Sequence, residues 1–116
     1  RDDVELAIFE KYPNSARMRA ALLQYSQAIQ LELTQVNSEE AMRVSLAKHS
    51  EAFACLFSIT SELSYQDRTN IEQEIETLIL NTEIRKNQYE VVYKNYMNSF
   101  TSSNQGCNID LSILPN

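Results

Sequence analysis

The chain has 116 residues, a mass of 13.4 kDa and a net charge of −6, with one glycine and two prolines. That length suits one domain with a core of its own. Its ten Lys and Arg residues are scattered, which excludes a nucleic-acid groove and an anionic membrane surface, since both need a concentrated basic face.

The longest apolar run, residues 52–57, falls far short of the ~20 residues that span a bilayer. Neither glycine nor proline occurs between Pro13 and Gly106, so nothing there forbids a helix. The expectation is therefore an all-α fold of long helices joined by short polar turns. Beginning on Arg1 rather than Met, the sequence reads as a processed or trimmed product. Scarce lysine, abundant Asn, Ser and Gln, and an even cysteine count lean toward an exported protein.

The first helix covers about residues 2–11. Asp2, Asp3 and Glu5 suit its N-terminus, Val4 and Ile8 form its apolar edge, and Pro13 stops it. Glu10-Lys11-Tyr12-Pro13-Asn14-Ser15 resembles the junction between tetratricopeptide repeats. The segment does not recur one repeat length later, and the next helix is too long for a family whose period is about 34 residues. The resemblance therefore implies no function.

A second helix runs from a cap at Asn14 or Ser15 to about Val36, with Met18, Leu22, Tyr25, Ile29, Leu33 and Val36 as one stripe. Arg17 and Arg19 sit in its first turns, where the helix dipole disfavours cations. They read as solvated, with a carboxylate partner or an anion-facing site as the alternatives.

Asn37 and Glu40 signal the third helix as a capping box. Its expected core face is Met42, Leu46, His49, Phe53, Leu56 and Leu63, with Ala41, Ala52, Cys55 and Ile59 beside it. The set from Ser64 to Asp67 caps the fourth helix. Ile71, Ile75, Leu78, Thr82, Tyr89, Tyr93, Tyr96 and Phe100 keep one phase over eight turns, so one continuous helix over residues 64–100 is the favoured reading. A break near residues 81–87 is the alternative.

Residues 101–106 read as a turn-forming linker. Ile109, Leu111 and Ile113 then alternate with polar neighbours, as in a strand. Such a strand should lie along a helical groove or reach another molecule. The division is a helical bundle over 1–100 and a linker with an extended tail over 101–116. The architecture is an antiparallel bundle of three long helices plus a short N-terminal one, or a four-helix bundle if the fourth helix breaks.

Chemistry-bearing patterns are sparse. His49 is the only histidine, and Leu46 stands three residues before it where di-iron bundles need a glutamate. Two cysteines and one histidine make no zinc pattern. Glu72, Glu76 and Glu83 read as a solvated acidic face, and one glycine cannot build a phosphate loop. The expectation is no enzyme, no metal and no cofactor.

The tyrosine ladder Tyr89, Tyr93 and Tyr96, continued by Phe100, carries the functional reading. A continuous fourth helix would be ~55 Å long and overhang its neighbours by ~16 Å, which would leave the ladder's end uncovered. The expected function is non-enzymatic protein–protein interaction, as an adaptor, inhibitor or assembly subunit, through these aromatics with a protein partner or a second copy. The alternative is a small-molecule-binding or sensory bundle with a pocket near Arg17, Tyr25 and His49. The continuous helix also excludes a Cys55–Cys107 bridge. Phe100 would lie ~42 Å along the axis from the level of Cys55, and the seven residues after it reach at most ~25 Å.

Overall fold

The structure is a computed structural model and describes residues 2–96 and 106–115. The described residues form five α-helices and no strand: α1 (Asp2–Lys11), α2 (Ala16–Gln35), α3 (Glu39–Ile59), α4 (Tyr65–Ile79) and α5 (Glu83–Tyr96). A 3₁₀ turn, Leu111–Ile113, follows in the described part of the tail. Among the described residues, no helix is long and apolar enough to cross a membrane.

The polar punctuation sets the helix starts. Ser15, Ser38 and Ser64 each accept a hydrogen bond from the backbone N–H three residues on, at Met18, Ala41 and Asp67. The third cap is thus Ser38 rather than Asn37. An Ncap hydroxyl there satisfies one of the donors that a helix start leaves open.

Helix α2 packs against each of the other four, most extensively against α3. Its stripe of Leu22, Tyr25, Ile29 and Leu33 is buried, joined by Val4 and Ile8 of α1 and by Ile75 and Ile79 of α4. The buried face of α3 is Met42, Ser45, Ala52, Cys55 and Leu56. Phe53, expected in the core, is 43% exposed, and Leu63 lies in the turn after α3. Small Ser45, Ala52 and Cys55 let α3 approach α2 closely, which rotates the larger Phe53 and Phe57 outward.

The continuous fourth helix is corrected. Leu80 closes α4 by donating its backbone N–H to Glu76 O at 2.8 Å, and Thr82 opens α5 by accepting the N–H of Arg85 on its hydroxyl at 3.2 Å. The interruption at residues 80–82 is close to one helical turn, so the apolar stripe resumes in phase beyond it. Periodicity alone cannot detect a break of that length.

The broken helix removes the geometric bar to a disulfide, and Cys55 and Cys107 are bonded, with Cα atoms 4.5 Å apart. The separate-cysteine expectation failed because it rested on the unbroken helix. The tail is not a strand. Ile109 and Leu111 face the core as the alternation requires, but Asp110 then accepts the Ser112 N–H and winds a 3₁₀ turn that swings Leu114 inward and leaves Ile113 77% exposed. A lone strand has no neighbour to satisfy its backbone, and the local turn does so instead. Residues 101–105 of the expected linker lie outside the described residues.

Candidate functional site

Two places gather functional side chains. The first lies inside the bundle. Glu32 of α2 is fully buried, and its Oε1 lies 2.7 Å from His49 Nδ1 on α3. Its Oε2 is also buried, and the Tyr93 side chain of α5 interacts with the same carboxylate. Tyr25, seven residues before Glu32 on α2, sets its ring edge-on to His49 at 5.3 Å and donates its hydroxyl to Glu76 Oε1 of α4 at 3.1 Å.

Electrostatics follow from that arrangement. Burial by itself would lower the His49 imidazole. The hydrogen bond and charge of Glu32, backed by Glu76 and Glu72, hold it above its ordinary 6.5. Burial and the neighbouring Glu76 push the Glu72 carboxyl up, against His49 and Arg68. A buried carboxylate needs a counter-charge, and His49 is placed to supply it.

The α5 tyrosines face this same interior. The Tyr89 and Tyr93 rings lie 4.5 Å apart and their hydroxyls hydrogen-bond one another. Burial, followed by contributions that include the Glu32 charge, raises both phenols. Tyr89 packs on the hydrophobic core, and Tyr96 is half-buried. The overhang that singled out this ladder is absent because α5 is a separate helix. Phe100 lies outside the described residues.

Of the alternative set, Tyr25 and His49 come together, but Arg17 does not join them. Its Nε donates to Leu114 O at 2.7 Å, its Nη2 to Ser112 O at 3.3 Å and its backbone N–H to Pro115 O at 3.2 Å. Arg19 donates to the Tyr12 and Pro13 carbonyls and stacks over Phe9 at 5.0 Å. Both arginines thus escape the unfavourable dipole by capturing carbonyl oxygens, a partner invisible in a pattern of charged side chains. Among the described residues, no group of three or more His, Cys, Asp or Glu is placed to hold a metal ion.

The second place is a surface corner between α3 and α4. Phe53 and Phe57 stack at 6.4 Å, are 43% and 48% exposed, and carry the Arg68 guanidinium over the Phe57 ring at 4.6 Å. Tyr65, at the start of α4, is 77% exposed. With Thr60, Thr69 and Glu72 these residues line a cleft of about 250 Å³. Pattern reading missed this corner because it assigned Phe53 to the core. The available signal was Phe53 and Phe57 four apart beside the small residues Ala52 and Cys55.

No protein-family model matches the chain, and neither the curated proteins nor the solved structures yield a match.

Proposed function

We propose that this chain is a non-enzymatic protein-binding module that works through the aromatic corner of α3 and α4. The observation that carries the reading is the exposed Phe53–Phe57 stack with Arg68 over it and Tyr65 beside it. Aromatic and arginine side chains dominate the energetic centres of protein interfaces, and here they converge on one cleft. Ordinary core packing does not account for three aromatic side chains that are 43%, 48% and 77% exposed at one corner. Tyr89, Tyr93 and Tyr96 are partly buried, so we assign partner binding to the more exposed corner in preference to them.

The finer architecture within this reading is an antiparallel bundle, favoured by the short connections at residues 36–38, 60–64 and 80–82. The Cys55–Cys107 bridge supports work in an oxidising compartment.

Photo-crosslinking tests the reading. A benzoylphenylalanine in place of Phe57 should give a discrete protein adduct, in the purified chain or in extract of the source cells. Adding Phe53→Ser should remove it. The same probe in place of exposed Lys94 on α5 serves as the control. If the Phe57 probe labels no more than the control in either setting, the corner is not a binding face and the reading fails.

A further inference from the structure

We propose that the partner at the α3–α4 corner is a second copy of this chain, docked about a two-fold axis so that Arg68 of each copy meets Glu72 of the other. The inference rests on the protein-binding reading above and names the occupant.

A two-fold interface must be self-complementary, because the same patch faces itself. Arg68 and Glu72 meet that condition. They lie four apart on α4, hence on one face of it, and both line the cleft. A two-fold axis crossing α4 near Asn70 sets the two copies of this helix antiparallel. Arg68 then stands opposite Glu72 twice.

Within the chain, His49 and Arg68 only partly offset what burial and Glu76 do to the Glu72 carboxyl, which stays raised. No ion pair joins Arg68 to Glu72, and the Arg68 guanidinium instead lies over the Phe57 ring, 4.6 Å from its centroid. A stacked guanidinium keeps its edge donors free for a carboxylate, which is the bidentate geometry arginine favours. Glu72 is half-buried and carries a carboxyl raised by burial and by Glu76, so an incoming cation would relieve it. Burial of Phe53, Phe57 and Tyr65 against their copies supplies the apolar centre that the charge pairs would orient.

Net charge restricts where two copies can meet. Two chains of −6 repel at long range, so copies associate where the local charge balances. The cleft holds one cation and one anion, Arg68 and Glu72. A strongly basic partner would meet Arg68 at its centre and a strongly acidic one would meet Glu72. A second copy meets the complement of each.

The test is the mass of the intact, oxidised chain by light scattering across a concentration series, with sedimentation equilibrium for Kd. Wild type should move toward twice the 13.4 kDa chain mass as concentration rises. Arg68→Glu and Glu72→Arg should each weaken association about tenfold or more, and the double swap should restore it. Circular dichroism confirms that the variants stay helical. A wild-type chain that remains monomeric throughout overturns the inference, as does a dimer whose Kd ignores both reversals. A Phe57 adduct to another protein, with no adduct to itself, overturns the second copy while leaving the protein-binding reading in place. Loss of all adducts sinks both.

Discussion

His49 Nδ1 meets Oε1 of Glu32 at 2.7 Å, and the carboxylate it meets has no exposure to solvent at all. Glu32 therefore relies on a counter-ion that can lose its proton near neutral pH. The folded imidazole is held above 6.5, so the native state binds that proton more tightly than the unfolded chain does. The pair's contribution to stability is complete below pH 6.5 and fades as pH rises through the folded value. Urea midpoints of wild type should fall across that window, while His49→Gln stays flatter. The single imidazole also makes the NMR titration unambiguous. A midpoint at or below 6.5, or equal slopes in the two proteins, would refute the linkage.

Removing one member of the pair should cost more than removing both. His49→Leu leaves a buried carboxylate with no cation, a loss of about 3–5 kcal/mol. The double variant Glu32→Leu, His49→Leu takes away the charge and its partner together, and should recover most of that loss. Denaturant unfolding of the two singles and the double measures the coupling. Losses that merely add would mean the two side chains act independently.

Legibility in the sequence followed the range of the interaction. The α1 bounds, the Ser15 and Ser64 caps and the α2 stripe of Leu22, Tyr25, Ile29 and Leu33 were readable, because propensity, capping and period act within one helix. The face of α3 was readable only in part. Period places Phe53 and Ala52 one position apart, and only the close approach of α2 decides which is buried. Of the pocket expected near Arg17, Tyr25 and His49, only Tyr25 and His49 lie in contact, and Arg17 lies with the tail instead. Glu32 was overlooked because a glutamate inside an apolar stripe usually marks the solvent edge, and its partner lies on another helix.

Thr82 is the hinge of the chain's second half. Its hydroxyl accepts the Arg85 N–H in the Ncap geometry of α5. Thr82→Ala should cost about 1 kcal/mol, and Thr82→Asp should retain the cap. Urea denaturation distinguishes the two. If alanine costs nothing, the start of α5 is set by packing and not by its cap.

Arg17 should act as a clasp on the tail. Its side chain binds the carbonyls of Ser112 and Leu114, at the 3₁₀ turn and just after it. Arg17→Ala should speed amide exchange across residues 109–115 while leaving α3 and α4 protected. Arg17→Lys should rescue only part, since an ammonium cannot reproduce the guanidinium fork. Uniform exchange changes over the whole chain would show a global effect and not a clasp.

The bridge and the break at residues 80–82 stand or fall together. A continuous helix would carry the tail ~42 Å from Cys55, beyond the ~25 Å that the seven connecting residues can span. Only with α5 as a separate helix does Cys107 reach Cys55. Peptide mapping of the monomer without reductant should therefore yield the Cys55–Cys107 pair. Reduction opens a loop of 52 residues' separation and should lower stability by roughly 4 kcal/mol. Asn81→Ala with Thr82→Leu should favour fusion of α4 and α5 by removing the turn residue and the cap. That variant should refold with a larger fraction of free thiols than wild type under the same redox buffer. If it closes the disulfide as completely, the interruption is not what brings the cysteines together.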